Sequence, residues 1–211
     1  MSNEILYILL PDFASHEMVY LMEAISSDDT QLKANPKYVN KIVAPTMESV
    51  TAIGDFRVLP DYSFENMPED YSALVLIGGY GWLTPVADKV IPIVRKALDN
   101  GRIVGAICNG ASFMAKHGFL NGVKHTGNGL EQLQLGGAAN YTNSEGYIHA
   151  QSVSDGNIVT ANGSGVLEFT KELLLLLDND TPERIEMYYQ FNKQGFCAFC
   201  SQSNDYTLHI D

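Results

Sequence analysis

The sequence predicts a three-layer α/β fold built on a mainly parallel central sheet. Two observations carry that prediction. The runs EILYILL at 4–10, ALVLI at 73–77 and IVGAI at 103–107 lack the polar alternation of half-exposed strands. Continuous apolar runs of this length suit strands covered on both faces. Helical patterns then separate these runs at short intervals, the signature of parallel strands joined by crossovers. The 211 residues contain no repeat and no linker, so residues 1–195 are read as one domain and residues 196–211 as a C-terminal tail.

The elements follow in order. Glu4 to Leu10 is a strand that stops at Pro11-Asp12. From Ser15 to Ser27, apolar Met18, Val19, Leu21, Met22, Ala24 and Ile25 give a helix with Ser15 as its cap. Tyr38 to Ala44 is a second strand, and Val50 to Leu59 folds into a hairpin about Ile53-Gly54-Asp55. Ala73 to Ile77 is a strand closed by Gly78-Gly79. Ala87 to Asp99 is a helix that starts late, because Pro92 fits only a first turn. Ile103 to Ile107 runs into Cys108, and a short helix from Ala111 to Lys116 ends at Gly118. Tyr147 to Val153 pairs with Asn157 to Ala161 across Asp155-Gly156, a strong hairpin signal. Gly165 to Leu177 is a helix with Val166, Phe169, Leu173, Leu174 and Leu177 inward. Thr181-Pro182 opens a further helix to about Phe191.

Thirteen Lys and Arg against 25 Asp and Glu give a net charge of −12. That balance argues against nucleic acid and anionic membranes as partners. The longest leucine run, residues 173–177, falls far short of the roughly 20 apolar residues a spanning helix needs. The N-terminus lacks the basic lead and apolar stretch of a signal peptide. With three cysteines, Cys108, Cys197 and Cys200, the expected location is the reducing cytoplasm.

The stretch from Ile103 to Ser112 carries the chemistry. A strand ends, a nucleophilic side chain follows, and a helix opens within two residues. Small residues, Gly105, Ala106, Gly110 and Ala111, crowd the turn. This is the logic of a nucleophile elbow, with cysteine in place of serine. It lifts the side chain above the carboxyl edge of the sheet, where open α/β folds bind ligands. A free cysteine is only about 3% ionised at pH 7. A helix N-terminus favours the anion, so a lowered thiol pKa is expected. A cysteine at a strand end is also simply a small buried hydrophobe. The Gly78-Gly79 pair closes a neighbouring strand at the same edge and lets backbone N–H groups approach a ligand.

Strand-Gly78-Gly79, AICNGA around Cys108, and GSGVLEF at 163–169 before a Leu-rich helix together resemble the ThiJ/PfpI family of the class I glutamine amidotransferase-like superfamily. The resemblance spans residues from about 4 to 178. It implies a flavodoxin-like α/β/α sandwich, a homodimer, and a nucleophilic or redox-active Cys108. It further implies that Glu17 hydrogen-bonds that thiol. By its position alone Glu17 reads as a first-turn carboxylate complementing the helix dipole. Beside Cys108, a protonated Glu17 would stabilise a thiolate or relay a proton. An oxyanion hole is implied as well, from the backbone N–H groups of Gly79 and Asn109.

The pattern also departs from the family. Class I amidotransferases complete a triad with His-x-Glu, and none of His16, His117, His125, His149 or His209 is followed two residues on by Glu. The proteolytic branch has His directly after the cysteine, where this chain has Asn109. Other relatives carry His about twenty residues later, where this chain has Asn128. His125 is either near the site or a solvated loop side chain. Asp12, Phe13, Tyr80, Trp82 and Asn128 are candidate pocket residues, because they follow strand ends. Cys197-Ala-Phe-Cys200 is one C-x-x-C without a second ligand pair, so a zinc site is weakly indicated. A redox pair remains open, and free thiols packed by Phe196 and Phe199 are the simplest reading.

Without G-x-G-x-x-G or a P-loop, a flavin or nucleotide module ranks last. No cofactor and no metal are expected. Two functions remain. The first is a cysteine-dependent hydrolase acting on a small amide, carbonyl or glyoxal compound. The second is a thiol-based oxidative-stress sensor or binding protein. The partner is accordingly a small-molecule substrate or an oxidant.

Overall fold

The structure, a computed structural model, describes residues 2–27 and 36–202. The core strands are β1 (Glu4–Ile8), β2 (Val39–Ala44), β6 (Ala73–Leu76), β7 (Ile103–Ile107) and β9 (Ile158–Ala161). Short β5 (Tyr62–Ser63) and β8 (Ser152–Asp155) lie at the edges of a seven-stranded sheet in the order β5-β2-β1-β6-β7-β9-β8. All pairings are parallel except β8 on β9. The order 2-1-3-4-5 of the five core strands is flavodoxin-like.

Period-two alternation builds two cores. Ile5, Tyr7 and Leu9 face one side, with Val75 and Ile77. There they meet Leu21 and Ile25 of α1 (Ser15–Ser26), and Phe169 and Leu173 of α5 (Val166–Leu176). Leu6, Ile8 and Leu10 face the other side with Leu74 and Leu76. They pack on Val94 of α2 (Ile91–Asp99) and on Phe113 and Met114 of α3 (Asn109–Lys116). Both faces are therefore covered, as the apolar runs predicted. Among the described residues no helix is long and apolar enough to cross a membrane.

The small hairpin is present as β3 (Val50–Thr51) and β4 (Arg57–Val58), paired outside the main sheet. The Asp155-Gly156 hairpin is present, with a first strand shorter than expected. A 3-10 segment, Pro85–Val90, precedes α2, so Pro92 sits in a first turn. Thr181 caps α6 (Pro182–Gln194) by accepting from the Arg184 N–H.

Three expectations are corrected. Ser15 lies inside α1, and Ala14 holds the cap position with no side-chain bond. A helix, α4 (Leu130–Gly137), occupies a stretch left without an element. Its polar sequence buries only Leu133 and Gly137, so its period is faint. The expected tail is helical over α7 (Phe196–Gln202), because Phe196 and Phe199 pack edge-on against Phe191 with ring centres 6.1 and 5.6 Å away. Residues 203–211 of that tail lie outside the described residues.

Candidate functional site

Register assembles the site. Leu76 of β6 pairs with Ala106 of β7, so Gly78 and Cys108, each two residues on, stand side by side at the carboxyl edge. Ile8 of β1 pairs with Leu76, which brings the start of α1 to the same place. Cys108 is the single residue between β7 and α3. Its φ is +56° and its ψ −122°, a conformation costly for a side chain with a Cβ and characteristic of functional turns. Its N–H donates to the Ala161 carbonyl at 3.0 Å, which ties the turn to β9.

Glu17 is 1% exposed. Its Oε2 accepts from the Gly78 N–H at 2.8 Å, and its carboxyl and the Cys108 side chain crowd the same face of Gly78, close enough for each to act on the other's proton. Glycine is obligatory where they meet. A Cβ on Gly78 would lie 2.5 Å from Glu17 Oε2 and 2.6 Å from Cys108 Cβ. Gly79 adopts φ +135°, and a Cβ there would lie 2.2 Å from the Asp12 carbonyl oxygen. Bonds from Ala14 N–H to Gly78 O and from Tyr80 N–H to Asp12 O fix this loop on either side of Gly79.

Asn128 holds the sulfur from the other side. Its Nδ2 donates to Cys108 Sγ at 3.3 Å, and its Oδ1 accepts from the Gly163 N–H at 2.9 Å. The backbone donor at Gly163 decides the amide orientation, so an NH2 faces the sulfur. Asn109 opens α3, and its backbone N–H favours a Cys108 anion. Its side chain donates to the Gly79 carbonyl at 2.9 Å, a brace between the two glycine-rich turns.

Burial dominates the electrostatics. The Glu17 carboxyl is raised above its ordinary value, first by desolvation, against the pull of the Gly78 N–H, His16 and Cys108. The Cys108 thiol is also raised, first by burial and next by the Glu17 charge, although Asn128 and the Asn109 N–H favour the anion. This corrects the expected lowering of the thiol pKa. The helix N-terminus and two donors do not outweigh desolvation plus a neighbouring acid. Two acids in contact titrate as a pair. The first proton to leave gives one shared negative charge, and the carboxyl, intrinsically the stronger acid, keeps more of it. Burial thus pushes both groups toward their neutral forms.

His125 does not join this group. It is fully buried, with Nδ1 against the Val123 carbonyl at 2.8 Å and Nε2 against the Tyr141 hydroxyl at 2.7 Å. It ties its own loop together, so neither the pocket position nor the solvated one holds. Phe13 and Trp82 are buried, while Asp12 and Tyr80 are exposed at the rim. Sequence reasoning passed over His16, whose Nε2 lies 3.4 Å from the Gly163 carbonyl. It also passed over His149, Gln151 and Ser164, which line a cleft of about 640 Å³ with Asn128 and Gly163. Gly163 lies within the GSGVLEF stretch, the only signal that could have placed this loop at the sulfur.

A family model described as the DJ-1/PfpI family matches residues 3–176. A Bacillus subtilis protein named "Uncharacterized protease YdeA" is 32% identical over 197 residues, covering 93% of this chain and 94% of that one. A protein of Thermococcus kodakarensis named a deglycase is 25% identical over 179 residues, 82% of this chain and 99% of its own. A crystal structure of a ThiJ/PfpI family protein from Bacillus anthracis superposes with a TM-score of 0.85 at 28% identity, over 96% of this chain and 95% of that one.

Proposed function

The chain belongs to the DJ-1/PfpI family, and from that premise we propose that it is a cysteine-dependent hydrolase of small amide or carbonyl compounds. The observation that carries this reading is the Cys108 turn, a half-buried thiol at positive φ, hydrogen-bonded to Asn128 and set beside buried Glu17. Strain of this kind is retained where a side chain must be presented in one direction. Relatives named protease and deglycase both suit attack on carbon double-bonded to oxygen.

The reaction follows from the pair. Cys108 Sγ bonds to the carbonyl carbon while Glu17 takes the thiol proton. The Gly79 and Asn109 N–H groups hold the oxyanion. Collapse of that adduct expels the amine, which leaves with the proton from Glu17, and a thioester remains. Water then attacks the thioester, giving the acid and returning hydrogen to sulfur. Asn128, which does not titrate, orients the sulfur where other relatives carry histidine. Turnover is preferred over oxidant sensing because relatives carry the names protease and deglycase.

The test is a panel of small amides, aldehydes and glyoxals assayed with wild type and Cys108→Ala. Turnover by wild type alone supports the reading, and equal rates in both proteins refute it.

A further inference from the structure

A second cleft, of about 670 Å³, opens beside the Cys108 turn. Trp82, Leu83, Phe113 and Leu135 supply its apolar lining, and Asn109 and Gln132 supply amides. Trp82 and Phe113 are buried and packed with ring centres 4.8 Å apart, which makes a rigid aromatic wall. Leu83 and Leu135 are 73% and 76% exposed. Single exposed leucines are ordinary, but two lining one cleft with two aromatic rings make a continuous apolar surface of the kind that takes a ligand.

Three features say what that ligand is. Asn109 lines the cleft and its side chain donates to the Gly79 carbonyl at 2.9 Å, so one wall of the cleft is braced against the Gly78-Gly79 turn beside Cys108. Gln132 Nε2 is only 3.4 Å from Asn109 Oδ1 and 3.5 Å from Ser112 Oγ. Bonds this long are weak, and the amide can exchange them for a polar group of a ligand. Lys116 and Glu131 contribute one charge of each sign to the lining, which favours neither an anion nor a cation.

We propose that this cleft is the subsite for an aliphatic or aromatic side chain of a neutral amide substrate, next to the carbonyl at Cys108. The inference rests on the reading of Cys108 as a nucleophile, and it adds a substrate class. The side chain packs on Trp82 and Leu135, and Gln132 hydrogen-bonds the neighbouring amide.

The chain has a single tryptophan, so any change in emission on binding comes from Trp82 in the cleft wall. Full-length Cys108→Ala protein, which cannot turn over, is titrated with N-acetyl-leucinamide and N-acetyl-glycinamide. The expected result is a saturable change with the leucine compound, bound about tenfold tighter than the glycine compound through burial of its side chain. Adding Leu135→Asp should remove that preference. Adding Leu59→Asp, at a 74% exposed leucine outside the cleft, should leave it intact. Equal affinities, or a silent Trp82, would overturn the proposal. So would sedimentation showing that Leu135→Asp splits a dimer while the preference stays unchanged, which makes the face a self-association surface. The two readings fail separately. A Trp82 response without turnover in wild type removes the nucleophile and leaves the subsite. Turnover indifferent to the side chain, with Trp82 silent, removes the subsite and leaves the nucleophile.

Discussion

The same side chain occupies two contrasting regions of this molecule. Cys108 stands alone between a buried strand and a helix, at positive φ, half-buried against a carboxyl, an amide and a backbone N–H. Cys197 and Cys200 ride on a short helix that touches the rest of the chain through Phe196 and Phe199, with Cys197 exposed and Cys200 partly so. Among the described residues no group of three or more potential metal ligands forms around either region. The two regions differ in what surrounds the thiol. The turn supplies partners and a fixed direction, whereas the C-terminal helix supplies only a place on the surface.

Substitution of the thiols gives the widest contrast. Cys108→Ala should lower kcat/KM by at least about a thousandfold, because the thioester of the proposed reaction cannot form without the sulfur. Cys197→Ser with Cys200→Ser should change it less than about twofold. Equal losses in the two proteins would erase the distinction.

Next comes the backbone that builds the turn. Gly79→Ala puts a Cβ 2.2 Å from a backbone oxygen at φ +135°. It should cost about 2–4 kcal/mol of stability in urea unfolding. Gly195→Ala, at the entry to α7, has φ +82° and ψ 154° but nothing within 4 Å of the new Cβ, so backbone strain alone sets its cost, about 1–2 kcal/mol.

A smaller effect separates Glu17 from surface acids. Its folded pKa stands above its ordinary value of 4.5, mainly through burial. The native state therefore keeps a proton that the unfolded chain has released. Stability falls as pH rises from about 4.5 to the raised folded value, and is fully present below that window. Glu17→Gln removes the titration and should raise Tm at pH 7 by about 2–4 °C. The gain should vanish below pH 4. Glu69, exposed and lowered by Lys96, shows the opposite sign, and Glu69→Gln should leave Tm at pH 7 unchanged or slightly reduced.

The sheet was legible because its strands bury both faces. Ile5 through Leu10 and Ala73 through Ile77 must be apolar throughout, and such runs announce themselves. The Cys108 turn was legible because a strand, one nucleophile and a crowd of small residues follow in sequence. Glu17 was not legible in that way, since a first-turn carboxylate has an ordinary explanation, and only resemblance to a family gave it a partner. The remaining contacts join residues far apart in the chain. Nothing local says that Asn128 reaches both Cys108 and Gly163, or that Asn109 braces Gly79. His125 illustrates the limit from the other side. Its loop position suggested water or the pocket, but burial against Tyr141 and Val123 depends on how the chain folds back over it. The expected thiolate failed for an energetic reason. Favourable donors were visible in the sequence, but the desolvation opposing them was not.

The central claim is that Cys108 and Glu17 titrate as one pair, with the thiol held neutral by burial and by the adjacent carboxylate. Its most direct measure is the pH dependence of Cys108 alkylation by iodoacetamide in a chain carrying Cys197→Ser and Cys200→Ser, with and without Glu17→Gln. The account predicts an apparent thiol pKa above the ordinary 9.0, moved downward by Glu17→Gln. Half-maximal reactivity below about pH 7 in the parent, or no downward movement in the variant, would contradict it.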